Sequence, residues 1–226
     1  MSSNTISDRP QATARAAEIV REYGPFAGAT HIHGITHDGH QVWAATGGQL
    51  VAFDPASGKT TRTLDCAATA GTAFDGKYLY QIAEARIDKI DPATGDVLAS
   101  IPAPGQGKDS GMAWAEGSLW VGQHRARQIL QINPETGAVI RSIESNRFVT
   151  GVTWVEGELW HGTWEADESD IRRIDPQSGT VLARLEMPKG IGVSGLESDG
   201  ADLFYAGGGP SGKVRAVRRN HSQTEK

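Results

Sequence analysis

Residues 152–185 read VTWVEGELWHGTWEADESDIRRIDPQSGTVLARL, and short alternating apolar runs in this stretch are separated by an acidic-Gly turn and an Asp-Pro turn. Alternation of apolar and polar residues over four to eight positions is the signature of a half-buried β-strand, and Gly and Asp-Pro pairs mark where strands stop. The same order recurs along the chain. The acidic-Gly turn and its strand return as HDGHQVWAA, FDGKYLYQI, AEGSLWVGQ, VEGELWHGT and SDGADLFYA, with glycines at 39, 76, 117, 157 and 200. The steps of 37, 41, 40 and 43 residues match the period of a four-stranded propeller blade. The sequence therefore predicts an all-β protein, a five-bladed β-propeller.

A second repeated mark, DPASG, DPATG, NPETG and DPQSG, starts at Asp54, Asp91, Asn133 and Asp175. Pro presets φ at the second position of a turn, Asp or Asn caps the turn through its side chain, and Gly accepts positive φ at the exit. Turn geometry accounts for these residues without any chemistry. Each blade then reads as an innermost strand A (GITH, GTAF, GMAW, GVTW, GLES), strand B after the acidic-Gly turn, strand C before the Asp-Pro turn and strand D after it.

Only four D strands follow in order: TTRTLD, DVLASI, AVIRSI and TVLARL. Residues 16–23, AAEIVREY, carry the D pattern and precede the first A strand, so they are expected to pair with residues 213–218 and close the last blade. Closure hides strand edges that would otherwise pair with other chains. The domain reading is one propeller over residues 16–218, with flexible tails at 1–15 and 219–226.

Composition narrows the partners. The formal charge of −5, with Lys and Arg spread along the chain, lacks the basic stripe that nucleic-acid backbones require. A lone cysteine, Cys66, excludes an internal disulfide and a cysteine zinc site. No run approaches the roughly 20 apolar residues of a membrane-spanning helix, and the first 20 residues lack the apolar stretch of a signal peptide. No nucleotide-binding motif is present. A cytoplasmic monomer acting on a small-molecule or peptide substrate is the expectation.

With this connectivity, the repeated A–B and C–D turns share one face, and the variable D–A and B–C loops share the other. Function is expected on the variable face. The D–A loops end at His33, Ala70, Ser110, Thr150 and Ser194 around the channel mouth. His33 and His124 are candidate acids or bases, with Asp109 and Glu165 as candidate carboxylate partners. Trp164, which has no counterpart in the other blades, is the candidate stacking surface for a substrate. Gln123, Arg125, Arg147 and Lys189 are candidate polar contacts. His31 and His33, two apart in an extended segment, offer a possible site for a divalent metal, Mg or Zn, if further ligands join them. His37 and His40 flank a turn on the opposite face and are excluded. Trp43, Tyr80, Trp120, Trp160 and Phe204 share one B-strand position, and Phe74, Trp114 and Trp154 share an A-strand position; both sets read as inter-blade packing.

The stretch at residues 152–185 resembles a blade of the glutamine cyclotransferase family of plant and bacterial propellers. That resemblance implies five blades and cyclisation of N-terminal glutamine with release of ammonia. The family pattern opens its first blade with Gln-Gly-Leu and its second with Gly-Glu-Gly-Leu, the Glu being implicated in catalysis. Here those starts read HIHGI and ATAGT, so His33 replaces the first polar group and Ala70 stands where the carboxylate is implied. Blade three, GMAWAEGSLWVGQHRARQILQINPETG, is similar to blades of the streptogramin B lyase family, which implies His, Glu and magnesium in an elimination reaction. The residues favour a lyase, hydrolase or isomerase using a His acid/base at the variable face. Glutaminyl cyclisation and a non-catalytic binding propeller are the alternatives.

Overall fold

The computed structural model describes residues 12–219. All 21 elements in this span are strands. Two precede the first blade, β1 (Thr13–Ala16) and β2 (Ile19–Tyr23). Blade one is β3 (Gly34–His37), β4 (Val42–Ala45), β5 (Gly47–Phe53) and β6 (Thr60–Ala68). Blade two is β7 (Thr72–Phe74), β8 (Leu79–Ala83), β9 (Arg86–Ile90) and β10 (Val97–Pro102). Blade three is β11 (Asp109–Ala115), β12 (Ser118–Gln123), β13 (Gln128–Ile132) and β14 (Val139–Glu144). Blade four is β15 (Val149–Val155), β16 (Glu158–Thr163), β17 (Asp170–Ile174) and β18 (Val181–Glu186). Blade five supplies β19 (Gly195–Ser198), β20 (Leu203–Gly207) and β21 (Val214–Arg218). The fold is a five-bladed β-propeller of antiparallel blades.

The ring closes at its termini. β2 pairs antiparallel with β21, Ile19 opposite Val217 and Tyr23 opposite Val214. Glu22 bridges Lys213 and Arg215, each at 2.8 Å, and Arg218 reaches Glu18 at 2.9 Å. The structure also corrects the expected boundaries. Thr13, Ala14 and Arg15 belong to β1, which adds in parallel to the outer edge of β18 in blade four. Arg219 is buried, bonding the Ala201 carbonyl at 2.8 Å and Glu156 at 2.7 Å. Residues 1–11 and 220–226 of the expected tails lie outside the described residues.

Local chemistry builds each blade. In the Asp-Pro turns, Asp54, Asp91, Asn133 and Asp175 accept backbone N–H bonds two residues on, at 2.7–2.9 Å. The closing glycines Gly58, Gly95, Gly137 and Gly179 all adopt φ between 71° and 84°. The acidic-Gly turns divide into two kinds. Asp38, Asp75 and Asp199 cap the turn with their carboxylates, whereas Glu116 and Glu156 adopt positive φ themselves, followed by a positive-φ glycine, the backbone of a two-residue type I′ hairpin. Between blades lie the aromatics. Trp120 and Trp160 are buried at ring separations of 5.0 Å from Trp154 and 4.9 Å from Phe204, and Tyr80 stacks on Trp114 at 5.5 Å.

Candidate functional site

Each innermost strand has a glycine at or close to its start: Gly34, Gly71, Gly111, Gly151 and Gly195. A Cβ at any of them would lie closer than 3.0 Å to the backbone or side chain of the next blade's innermost strand. Glycine thus lets five strands meet tightly around one axis, and the residues just before them form the rim. His33, Ala70, Ser110, Thr150 and Ser194 all line a single cavity of about 230 Å³, joined by Thr69, Asp109, His124 and Trp164. Three of the four expected catalytic side chains and the expected stacking residue therefore meet at one mouth.

Each of those groups has a distinct environment. Asp109 opens β11; its Oδ2 accepts the Gly105 N–H at 2.8 Å and its Oδ1 faces Gln123 Nε2 at 3.3 Å. A side chain at residue 105 would run into this carboxyl, so glycine there permits the close N–H approach. Burial nevertheless dominates and raises the Asp109 carboxyl above its ordinary pKa. Burial lowers both His33 and His124, and the positive charge of Arg125 lowers His124 further while Glu165 opposes it. The His124 ring packs on Phe148 at 4.7 Å. Gly192 leaves room for the Trp164 ring, which a Cβ there would meet at 2.9 Å.

Other expected site residues lie elsewhere. Glu165 does not line the cavity: its carboxylate is held by Arg127 at 2.6 Å and Arg147 at 3.3 Å, and Arg147 also bonds its carbonyl at 2.9 Å. That ties down the blade-four loop, which folds back through a bridge between Glu165 and Glu168. Gln123 is buried behind Asp109, its own amide oxygen accepting from Gln128 at 2.6 Å, so it orients the carboxylate and does not face a ligand. Arg147 and Lys189 line a separate cavity of about 420 Å³ beside Glu168, Arg184 and Glu186. Arg125 is exposed. His31 and His33 do stack, at 6.1 Å, but His31 Nδ1 is engaged with the Thr30 hydroxyl at 3.0 Å. Among the described residues, no three His, Cys, Asp or Glu side chains gather as a metal site, so the metal expectation at His31 and His33 lacks a donor set.

Glu197 is a titratable residue at the centre of the ring that the sequence reading passed over. It stands third in β19 and joins three blades, accepting from the Thr36 hydroxyl at 3.1 Å, the Thr153 hydroxyl, and the Ser198 N–H at 2.9 Å. Burial raises its pKa from 4.5 to about 7. A signal did exist. The other A strands carry Thr36, Ala73, Ala113 and Thr153 at this position, and Glu197 alone is ionisable.

Residues 26–201 match the family described as Domain of unknown function (DUF5074). The chain belongs to this family. Its fold resembles the crystal structure of Myxococcus xanthus glutaminyl cyclase, with a TM-score of 0.76 at 19% identity, over 92% of this chain and 98% of that one. The Myceliophteria thermophila Cps50 (Swd1) β-propeller domain is more distant, with a TM-score of 0.57 at 11% identity, over 90% of this chain and 100% of that one. A search of curated proteins gave no match. At these identities the structural likeness establishes the propeller, and bears out the expected kinship in fold with glutamine cyclotransferases. It does not carry an activity across.

Proposed function

We propose that this DUF5074 protein is an enzyme that binds a compact polar substrate at the channel mouth and moves protons on it with Asp109, His33 and His124. The observation that carries this reading is the shared cavity of about 230 Å³, in which these three groups stand beside Trp164. Histidines with lowered pKa are neutral imidazoles near pH 7 and can accept a proton, while a carboxyl raised by burial is better able to donate one. The cavity is smaller than the roughly 300–1,000 Å³ of pockets for drug-sized ligands, which favours a small substrate. Elimination, hydrolysis or isomerisation needs no more than this acid/base set.

Glutaminyl cyclisation is the second reading, favoured by the fold shared with the Myxococcus xanthus enzyme. Ala70 lacks the carboxylate that the cyclotransferase pattern implies, but Asp109 lines the same cavity and offers one from the next blade. Conversion of glutaminyl peptides to pyroglutamyl peptides with release of ammonia distinguishes the two, because hydrolysis of the side-chain amide also frees ammonia but leaves a glutamyl N-terminus. Turnover of order 1–1,000 per second would establish cyclisation, and its absence leaves the small-molecule reactions. In either case, Asp109→Asn, His33→Ala or His124→Ala should lower kcat by about 10²–10⁴ on the substrate that turns over, with little change in melting temperature. Full activity in all three variants would overturn the assignment. Binding at the mouth without any conversion of ligand would make the propeller a binding module.

A further inference from the structure

The outer strands carry a repeated cation device that blade two lacks. In β2, Arg21 donates to the Pro55 and Ala56 carbonyls of the blade-one Asp-Pro turn at 3.0 and 2.6 Å. In β6, Arg62 donates to the Pro92 carbonyl of the blade-two turn at 2.8 Å and to that of Ala93. In β14, Arg141 donates to the Pro176 carbonyl of the blade-four turn at 2.6 Å while lying 4.9 Å over the Trp120 ring. Strand register makes the positions equivalent: Arg62 pairs with Ala52 beside Trp43, Arg141 with Gln131 beside Trp120, and Arg21 with Ala216 beside Tyr205, which in blade five holds the register position that the sequence pattern assigned to Phe204.

In blade two the equivalent residue, paired with Lys89, is Ala99. Blade four also has alanine there, Ala183, but blade five has no Asp-Pro turn to receive a cation. At Ala99 the receiving turn is present. Pro134 and Glu135 face Ala99 across a cleft of about 340 Å³ whose walls include Tyr80 and Trp114. Tyr80 occupies the B-strand position of Trp120, and Trp114 stacks on it at an interplanar angle of 14°. Lys89 lines the same cleft, its ammonium 3.8 Å from Asp75, 4.5 Å from the Tyr78 ring and 5.3 Å from the Tyr80 ring, but it makes no hydrogen bond to the Pro134 or Glu135 carbonyls, the equivalents of those that Arg62 and Arg141 reach. By equivalence with the turns at Pro92 and Pro176, the blade-three turn supplies the acceptor for a guanidinium, with Trp114, Pro134 and Glu135 among the residues lining the cleft.

We propose that the cleft between blades two and three binds the arginine side chain of another polypeptide, whose guanidinium takes the place that Arg62 and Arg141 fill in the neighbouring blades. A planar guanidinium suits paired acceptors and an aromatic face, whereas an ammonium is a compact point charge. The cleft lies on the turn-bearing face, opposite the channel mouth, so this inference stands apart from the proposed enzymatic reading.

Titration of the protein with acetyl-Gly-Arg-Gly-amide, followed by the Trp114 indole N–H resonance, tests it. A saturable shift is expected, at least about tenfold weaker for the citrulline peptide, which keeps the shape without the charge. Ala99→Arg should supply the guanidinium internally and abolish the shift; Ala99→Leu fills the cleft without a cation and should do the same. Equal response to the arginine and citrulline peptides, no response to either, or undiminished binding by both folded variants would overturn the proposal.

Discussion

Glu197, half-buried at the centre of the ring, and His161, fully buried, are titratable residues whose protons are linked to folding in opposite directions. For Glu197 the folded pKa, about 7, stands above the ordinary 4.5, because burial outweighs the hydrogen bonds from Thr153, Ser198 and Thr36. Its contribution to stability is therefore fully present below about pH 4.5 and is lost as pH rises towards 7, by about 3 kcal/mol. His161, fully enclosed with its Nε2 unbonded, is lowered by burial from 6.5 to about 4, so its contribution is present above pH 6.5 and lost as pH falls through 4. The two windows overlap, and the wild-type profile alone would not separate them. Glu197→Gln does. Between roughly pH 4 and 8, denaturant unfolding should show the variant gaining on the wild type by about 3 kcal/mol. A difference that stays constant with pH would show that Glu197 does not carry the proton.

At the scale of elements, the two N-terminal strands have unequal tasks. β2 is an integral strand of blade five, ion-paired to it through Glu22 and through Glu18 just before the strand, and its Arg21 also ties blade five to the blade-one turn. β1 only adds to the edge of β18, and all four of its residues are exposed. Deletion through residue 17 should thus preserve a cooperative transition, at most lowering its midpoint. Deletion through residue 24 removes β2, exposes the edge of β21 and opens the ring, so the single cooperative transition should be lost. Thermal melts followed by far-UV circular dichroism compare the two. A protein lacking residues 1–24 that melts like the intact chain would refute closure by β2.

For the whole molecule, the glycine ring sets how tightly five blades meet and hence the size of the mouth. Gly111 is closely confined, its missing Cβ facing the backbone of Thr150, Gly151 and Val152 in blade four. Gly111→Ala must push two innermost strands apart, because no flexible side chain can give way. A loss of roughly 3 kcal/mol in urea unfolding is expected. Any activity at the mouth should fall with it, since Ser110 and Thr150 border both the glycine ring and the cavity. Unchanged stability would mean that the blades have slack at their axis.

The number of blades, the turns and the closing strand were legible in the sequence because each rests on local rules. Asp54 caps a turn, Gly58 takes positive φ and alternation selects a strand, whatever lies elsewhere in the chain. Connectivity then assigns His33, Asp109, His124 and Trp164 to one face. Which side chains share a cavity depends on rotamers and on competing partners contributed by distant segments. Arg127 and Arg147 draw Glu165 into the support of its loop, and Gln123 turns inward to hold Asp109. Ala99 looks like ordinary variation until the strand register sets it opposite the turn at Pro134. Sequence by itself determined the ring and the face of the candidate site. Tertiary structure alone decided which charges are paired away and which face the cavity, because pairing and burial arise from contacts between blades far apart in the chain.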